Sequence, residues 1–190
     1  MKSYQITEWC HHFIREHVKE GDICIDATAG NGNDTQVLCE LVGETGKVFA
    51  FDIQEQAVHN TRERLTNAGL EARANVLLES HTSMSNYAKE GEVSCIVFNF
   101  GYLPGGDHNL ATRKDTSIEA IHEGLRLLKK GGMMSLCIYS GGDSGFEERD
   151  AILEELKTLD GKKYLVIKSE YYNRPNNPPM PVMIIKLKAV

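Results

Sequence analysis

Three clusters of polar residues, each placed directly after an apolar run, carry the chemistry this sequence offers. The first is Asp26-Ala-Thr-Ala-Gly-Asn-Gly-Asn-Asp-Thr35. Gly30 and Gly32 permit a sharp turn and a close approach of backbone to a ligand. A dinucleotide-binding turn would put a third glycine at position 35 and leave the next helix start free for a pyrophosphate. Here Thr35 takes that place and Asp34 precedes it. The carboxylates of Asp26 and Asp34 would repel a pyrophosphate and suit a ligand that carries positive charge. Asn33 or Asp34 could instead simply cap the helix. The second cluster is Asp52-Ile-Gln54, where an acid at a strand end can accept hydrogen bonds from ribose hydroxyls. Gln54 could assist or cap the next helix. The third is Asn99-Phe-Gly-Tyr-Leu-Pro-Gly-Gly-Asp-His108. An Asn side-chain oxygen can accept N–H bonds from a nitrogen nucleophile and aim its lone pair. A Tyr ring can stack on a planar base.

Such residues work only if the chain brings them to one place. Apolar runs at 22–26, 47–52, 74–79, 93–98, 133–139, 163–169 and 181–187 read as strands. Segments with helical spacing lie at 4–19, 35–42, 54–68, 115–130 and 146–159, with a short helix or turn near 83–89. On the first helix Ile6, Trp9, Phe13 and Val18 form the apolar side. Gly131-Gly132 is expected to stop the helix that starts at Asp115. Alternating strands and helices predict an α/β fold of Rossmann-like type: a seven-stranded, mostly parallel sheet with helices on both faces. The last two strands, with no helix between them, predict an antiparallel C-terminal hairpin. In such sheets ligands bind at the carboxyl ends of the strands, which is where all three clusters fall. Ser80 and His81, after the third strand, belong to the same rim, as does Tyr139 after the fifth.

The 190 residues suit one domain, 1–190, with 41% hydrophobic and 25% charged residues. A net charge of −6 excludes a broadly basic nucleic-acid coat but allows a local basic patch. No apolar run approaches the roughly 18 residues of a membrane helix, so a soluble, cytoplasmic protein without membrane contact is expected. The five cysteines form no Cys-x-x-Cys pair and read as buried thiols. His11 and His12 are adjacent and cannot share a helix face, so no metal site is read; with Arg15 they offer a basic contact.

Together these features resemble class I S-adenosylmethionine-dependent methyltransferases. Amino-group methyltransferases of that superfamily often carry Asp/Asn-Pro-Pro-Tyr/Phe after the fourth strand; here Asn99-Phe100-Gly101-Tyr102 stands there, with Pro-Pro replaced by Phe-Gly. The strings DATAGNGNDT, FNFGYLPGGDH, TRKDTSIEA and YSGGDSGFEE together resemble a small bacterial family labelled rRNA methylases. The resemblance implies S-adenosylmethionine as cofactor. It implies cofactor contacts from Asp26, Ala27, Thr28, Gly30, Asn31, Gly32, Asn33, Asp34 and Thr35, and from Asp52, Ile53 and Gln54 at the ribose. Ser80 and His81 would lie near the adenine, and Asn99 and Gly101 near the transferred methyl. Catalysis would rest on Asn99 and Tyr102, with Asp107 or His108 taking a proton if the acceptor amine enters charged. Tyr102, Leu103, Pro104, Gly105, Thr112, Arg113, Tyr139 and Arg174 would contact substrate. A member of that family methylates the aminomethyl group of 5-aminomethyl-2-thiouridine at the tRNA wobble position. The implied partner is therefore the tRNA anticodon stem-loop, with a homodimer as a possible assembly. The alternatives are an rRNA or small-molecule methyltransferase, or a non-catalytic RNA- or metabolite-binding protein on the same fold.

Overall fold

The strands assemble in the order β3-β2-β1-β4-β5-β7-β6 in one sheet. They are β1 (Ile23–Asp26), β2 (Lys47–Asp52), β3 (Ala74–Leu78), β4 (Val93–Phe100), β5 (Leu128–Ile138), β6 (Tyr164–Lys168) and β7 (Met180–Lys186). The structure is a computed structural model that describes residues 4–101, 114–140 and 143–188. β1 to β5 are parallel. β7 runs antiparallel between β5 and β6, so the closing hairpin folds its last strand inward and leaves β6 at the edge.

Side chains alternate across the sheet, as strand geometry requires. Cys24, Val48, Cys95, Val97 and Met183 face α1 (Ile6–His17), α2 (Asn33–Val42) and α3 (Glu55–Ala68). Ile25, Phe51, Ile96, Phe98, Met134 and Ile184 face α4 (Lys114–Leu127) and α5 (Asp143–Thr158). Phe51, Phe98, Ile25 and Ile96 are fully buried; burying one side chain of that size contributes about 1.5–3 kcal/mol. All five cysteines are buried and unpaired. No helix of the described residues is long and apolar enough to cross a membrane.

Three local expectations are corrected. β4 does not end at Phe98 but runs on through Asn99 and Phe100, which pair with Cys137 and Ile138 of β5. Phe100 is fully buried and stacks on Phe98 at 5.0 Å, so an apolar residue beyond Asn99 keeps the strand in the sheet. Gly131-Gly132 does not stop a helix. α4 ends at Leu127 and β5 starts at the next residue. Val93 pairs with Leu128 and Cys95 with Met133, so residues 129–132 bulge out of register, with Gly131 at φ +78°. The end of α4 is closed by Lys186, whose Nζ donates to the carbonyls of Leu125 (2.8 Å), Arg126 (3.2 Å) and Leu128 (2.7 Å). On α1 the most buried side is Cys10, His11 and Ile14, with Ile6 and Phe13 packed against the same core and Val18 buried in it as expected. Trp9 and Phe13 are only partly covered and meet edge to face at 5.2 Å.

The chain reverses its winding direction between β1 and β4. A crevice at the carboxyl ends of these two strands is where an open parallel sheet holds a ligand.

Candidate active site

Asp26 closes β1 and is wholly buried. Its Oδ2 accepts from the Thr35 hydroxyl at 2.6 Å, and its Oδ1 from the Thr28 N–H at 3.2 Å. Thr35 is therefore a buried strut between strand and helix, which explains why the position has no glycine. Burial, reinforced by the Asp34 carboxylate, pushes the Asp26 carboxyl up to about 7.

Gly30 and Gly32 have φ of +55° and +76°. A Cβ on Gly32 would lie 3.0 Å from Thr61 Cα and 3.0 Å from its Oγ1. The turn thus presses against α3, where the Thr61 hydroxyl donates to Gly30 O at 3.1 Å and Arg64 Nε donates to Asn31 O at 2.6 Å. Asn31 Oδ1 accepts from Asn60 Nδ2. Asn31 and Asn33 also line a groove of about 620 Å³ with Gln36, Asn60, Glu63, Arg64 and Asn67, on the α2–α3 flank of the turn. Asp26, Asp52 and Asn99 are not part of that groove.

Asp52 closes β2. Its Oδ2 accepts from Gly30 N–H and its Oδ1 from Gln54 N–H, both at 2.9 Å. A carboxylate has about four acceptor directions, so two remain for a ligand. The Gln54 backbone has extended φ/ψ and its side chain makes no cap on α3. Ile53 is 55% exposed, an apolar surface beside the acid on which a flat ring can rest.

Asn99 joins the first and third clusters. Its backbone N–H donates to the Thr28 hydroxyl at 2.7 Å, and its Nδ2 donates to Asp34 Oδ2 at 2.7 Å. Asp34 Oδ1 meets His11 Nε2 of α1. His11 is 6% exposed and is therefore not the surface basic contact its neighbourhood suggested. This contact is the site feature that the sequence does not announce. The signal available was a polar residue at the buried spacing of Cys10 and Ile14 on α1. Gly101, at φ +141°, follows β4; a Cβ there would lie 3.0 Å from Tyr139 Cβ. Tyr139 N–H donates to Phe100 O at 3.0 Å, which seats Tyr139 beside Asn99 and Gly101.

Ser80 caps the 3-10 turn His81–Asn86 by accepting from Thr82 N–H. The His81 ring packs edge to face on Phe98 at 6.0 Å. Burial lowers its pKa, and its Nε2 is buried without a hydrogen-bond partner among the described residues. Arg174 is exposed in the β6–β7 connection. That connection reaches the same rim, because Met180 pairs with Ile138 and Asn177 O accepts from the Ser140 hydroxyl. Tyr102, Leu103, Pro104, Gly105, Asp107, His108, Thr112 and Arg113 lie outside the described residues.

The arrangement fits S-adenosylmethionine on its own terms. Two carboxylates (Asp34 and Asp52) above the buried acid Asp26, and no Lys or Arg, come from the turn and strand ends, which favours a cationic ligand over a phosphate one. Asp52 retains acceptor directions for ribose hydroxyls. Among the described residues no group of His, Cys, Asp and Glu could hold a metal ion.

Comparison with known proteins agrees. The model of the family described as "Putative rRNA methylase" matches residues 48–185. A chloroplastic tRNA (mnm(5)s(2)U34)-methyltransferase of Arabidopsis thaliana is 36% identical over 186 residues, covering 93% of this chain and 68% of that protein. The crystal structure of a "putative rRNA-methylase" from Clostridium thermocellum superposes with a TM-score of 0.94 at 44% identity, covering 98% of this chain and 100% of that one. A methyltransferase structure from Streptococcus mutans, in complex with SAH, has a TM-score of 0.87 at 36% identity, covering 97% and 99%. The turn, the acidic strand ends and these relatives give one conclusion: the chain belongs to the "Putative rRNA methylase" family and is an S-adenosylmethionine-dependent methyltransferase.

Proposed function

We propose that the chain methylates an amine nitrogen on RNA, namely the aminomethyl group of 5-aminomethyl-2-thiouridine at the wobble position of a cytoplasmic tRNA, and that it recognises the anticodon stem-loop. The observation that carries this reading is Asn99. It stands one residue before the end of β4, bonded through its backbone to the turn after β1 and through its side chain to the start of α2. Bound S-adenosylmethionine would supply a sulfonium-activated methyl group, with the neutral thioether SAH as the leaving group.

The chain's own part is orientation and desolvation. Asn99 Oδ1 accepts an amine N–H, so that the nitrogen lone pair faces the methyl carbon. Phe100 O already accepts one bond from Tyr139 N–H and holds the strand end straight. Tyr139 and Gly101 form the wall beside the acceptor. Tyr102 stacks on the uracil ring, and Asp107 or His108 takes the proton the amine must lose. Arg113 and Arg174 meet phosphates. The name of the Arabidopsis relative favours tRNA; the family description favours rRNA, and one experiment separates them. Nucleoside mass spectrometry of tRNA from cells lacking this protein is expected to show accumulated 5-aminomethyl-2-thiouridine. Unchanged tRNA with a methyl group missing from rRNA overturns the tRNA reading.

A further inference from the structure

We infer that Asp34 is a positioning residue that sets which way round the Asn99 amide stands, and that His11 fixes Asp34 in turn. The inference rests on the reading of Asn99 as the amine-orienting residue.

An Asn side chain is nearly symmetric in shape, but its two ends have opposite hydrogen-bonding character. Only Oδ1 can accept from an amine. If the amide turned over, Nδ2 would meet the amine N–H bonds with donors or would tie up the lone pair that must attack. Something must break the symmetry. A carboxylate accepts and cannot donate, so Asp34 Oδ2 at 2.7 Å selects the orientation with Nδ2 toward α2. Oδ1 then points away from Asp34.

Asp34 has its own need of support, because it lies near the buried Asp26. His11 Nε2 meets its other oxygen. Facing a carboxylate, that nitrogen is the donor, which fixes the ring tautomer. His11 is 6% exposed, and its other nitrogen is 3.8 Å from Glu8 Oε1. The chain of contacts therefore runs from α1 through the start of α2 to the end of β4. Each Asp34 oxygen has one partner within the protein, and Asp34 acts on the acceptor through Asn99.

The test is a polarity swap, assayed by methyl transfer to tRNA carrying 5-aminomethyl-2-thiouridine, with circular dichroism to check folding. Asn99→Ala serves as the reference and is expected to lower kcat at least 100-fold. If it keeps kcat within threefold, the amine-orienting reading falls, and the inference with it. Asp34→Ala leaves the amide free to turn and is expected to lower kcat 10- to 50-fold, with KM for tRNA within threefold. Asn99→Asp sets a carboxylate against a carboxylate and should be about 100-fold slower than wild type.

Asp34→Asn combined with Asn99→Asp restores a matched set. The new amide accepts from His11 and donates to the new carboxylate, whose other oxygen accepts from the amine. We expect the double variant to regain at least tenfold over Asn99→Asp alone. A purely structural role for Asp34 gives no such rescue. If Asp34→Ala keeps kcat within threefold while Asn99→Ala is inactive, or if the double variant is no better than Asn99→Asp, the inference is overturned and the Asn99 reading survives. Should Asp34→Ala not fold, the comparison of Asn99→Asp with the double variant decides alone.

Discussion

Gly32→Ala tests whether the turn after β1 is as tightly held as its geometry implies. Gly32 has φ +76°, where a side chain costs about 1–2 kcal/mol in backbone strain. Its added Cβ would also meet the Thr61 main chain at 3.0 Å, and overpacking of a well-filled site adds about 1–3 kcal/mol. The sum is about 2–5 kcal/mol. In a protein of this length that lowers Tm by about 4–20 °C. Gly69→Ala is the control. Gly69 has φ +67° at the end of α3, and a methyl group added there would meet nothing within 4 Å, so it should carry the backbone cost alone. Thermal unfolding of the two variants, followed by circular dichroism, separates strain from contact. Equal losses in the two would refute the reasoning, because they would mean that the turn yields to Thr61 at no cost. Since Gly30 N–H is bonded to Asp52, any movement of the turn should also appear as weaker SAH binding in Gly32→Ala and not in Gly69→Ala.

Other outcomes follow from the same contacts. Asp52→Ala removes a charged acceptor, and losing one or two hydrogen bonds to it weakens SAH by about 30-fold or more in a calorimetric titration; unchanged affinity would remove Asp52 from the site. Asp26 has a folded pKa of about 7 against an ordinary value of 3.8, so the native state binds the extra proton between those values. Stability from this group is full below about pH 4 and is lost as pH rises to 7. Urea unfolding should therefore show wild type losing more stability between pH 5 and 8 than Asp26→Asn, and parallel profiles would count against the buried neutral acid. Lys186→Met leaves three carbonyls without their donor. The loss is about 2–4 kcal/mol and a fall in Tm of about 4–16 °C, and a change of under 2 °C would show that water replaces the ammonium freely.

The strand segments, their mostly parallel sense and the acidic rim are legible in the sequence because they depend on short-range rules. Apolar runs name buried strands, and turn residues after them name the carboxyl ends. Asp26, Gly30, Gly32, Asp52 and Asn99 do converge at the rim between β1 and β4. What the sequence hides depends on contacts distant along the chain. Nothing local to His11 or Asp34 reveals their contact across two helices. β4 ends later than its composition suggests because Asn99 looks like a loop residue, while Phe100 beyond it is held in the core by Phe98. Gly131-Gly132 has the composition of a helix stop, yet α4 ends earlier, where Lys186 reaches its carbonyls from a strand about sixty residues later. Thr35 reads as the missing third glycine of a dinucleotide turn, and only packing shows it as the hydroxyl that satisfies buried Asp26.

Lys186 has one more consequence. It is the one buried lysine among the described residues, at 2% exposed, and burial lowers its pKa. An ammonium bonded to three carbonyls and shut away from water cannot meet an acylating reagent. Amine-reactive mass labelling should therefore modify the surface lysines quickly and Lys186 only when β7 separates from the end of α4. The side chain that closes the helix thereby also serves as an internal reporter, in the native sequence, of how often the C-terminal half of the sheet opens.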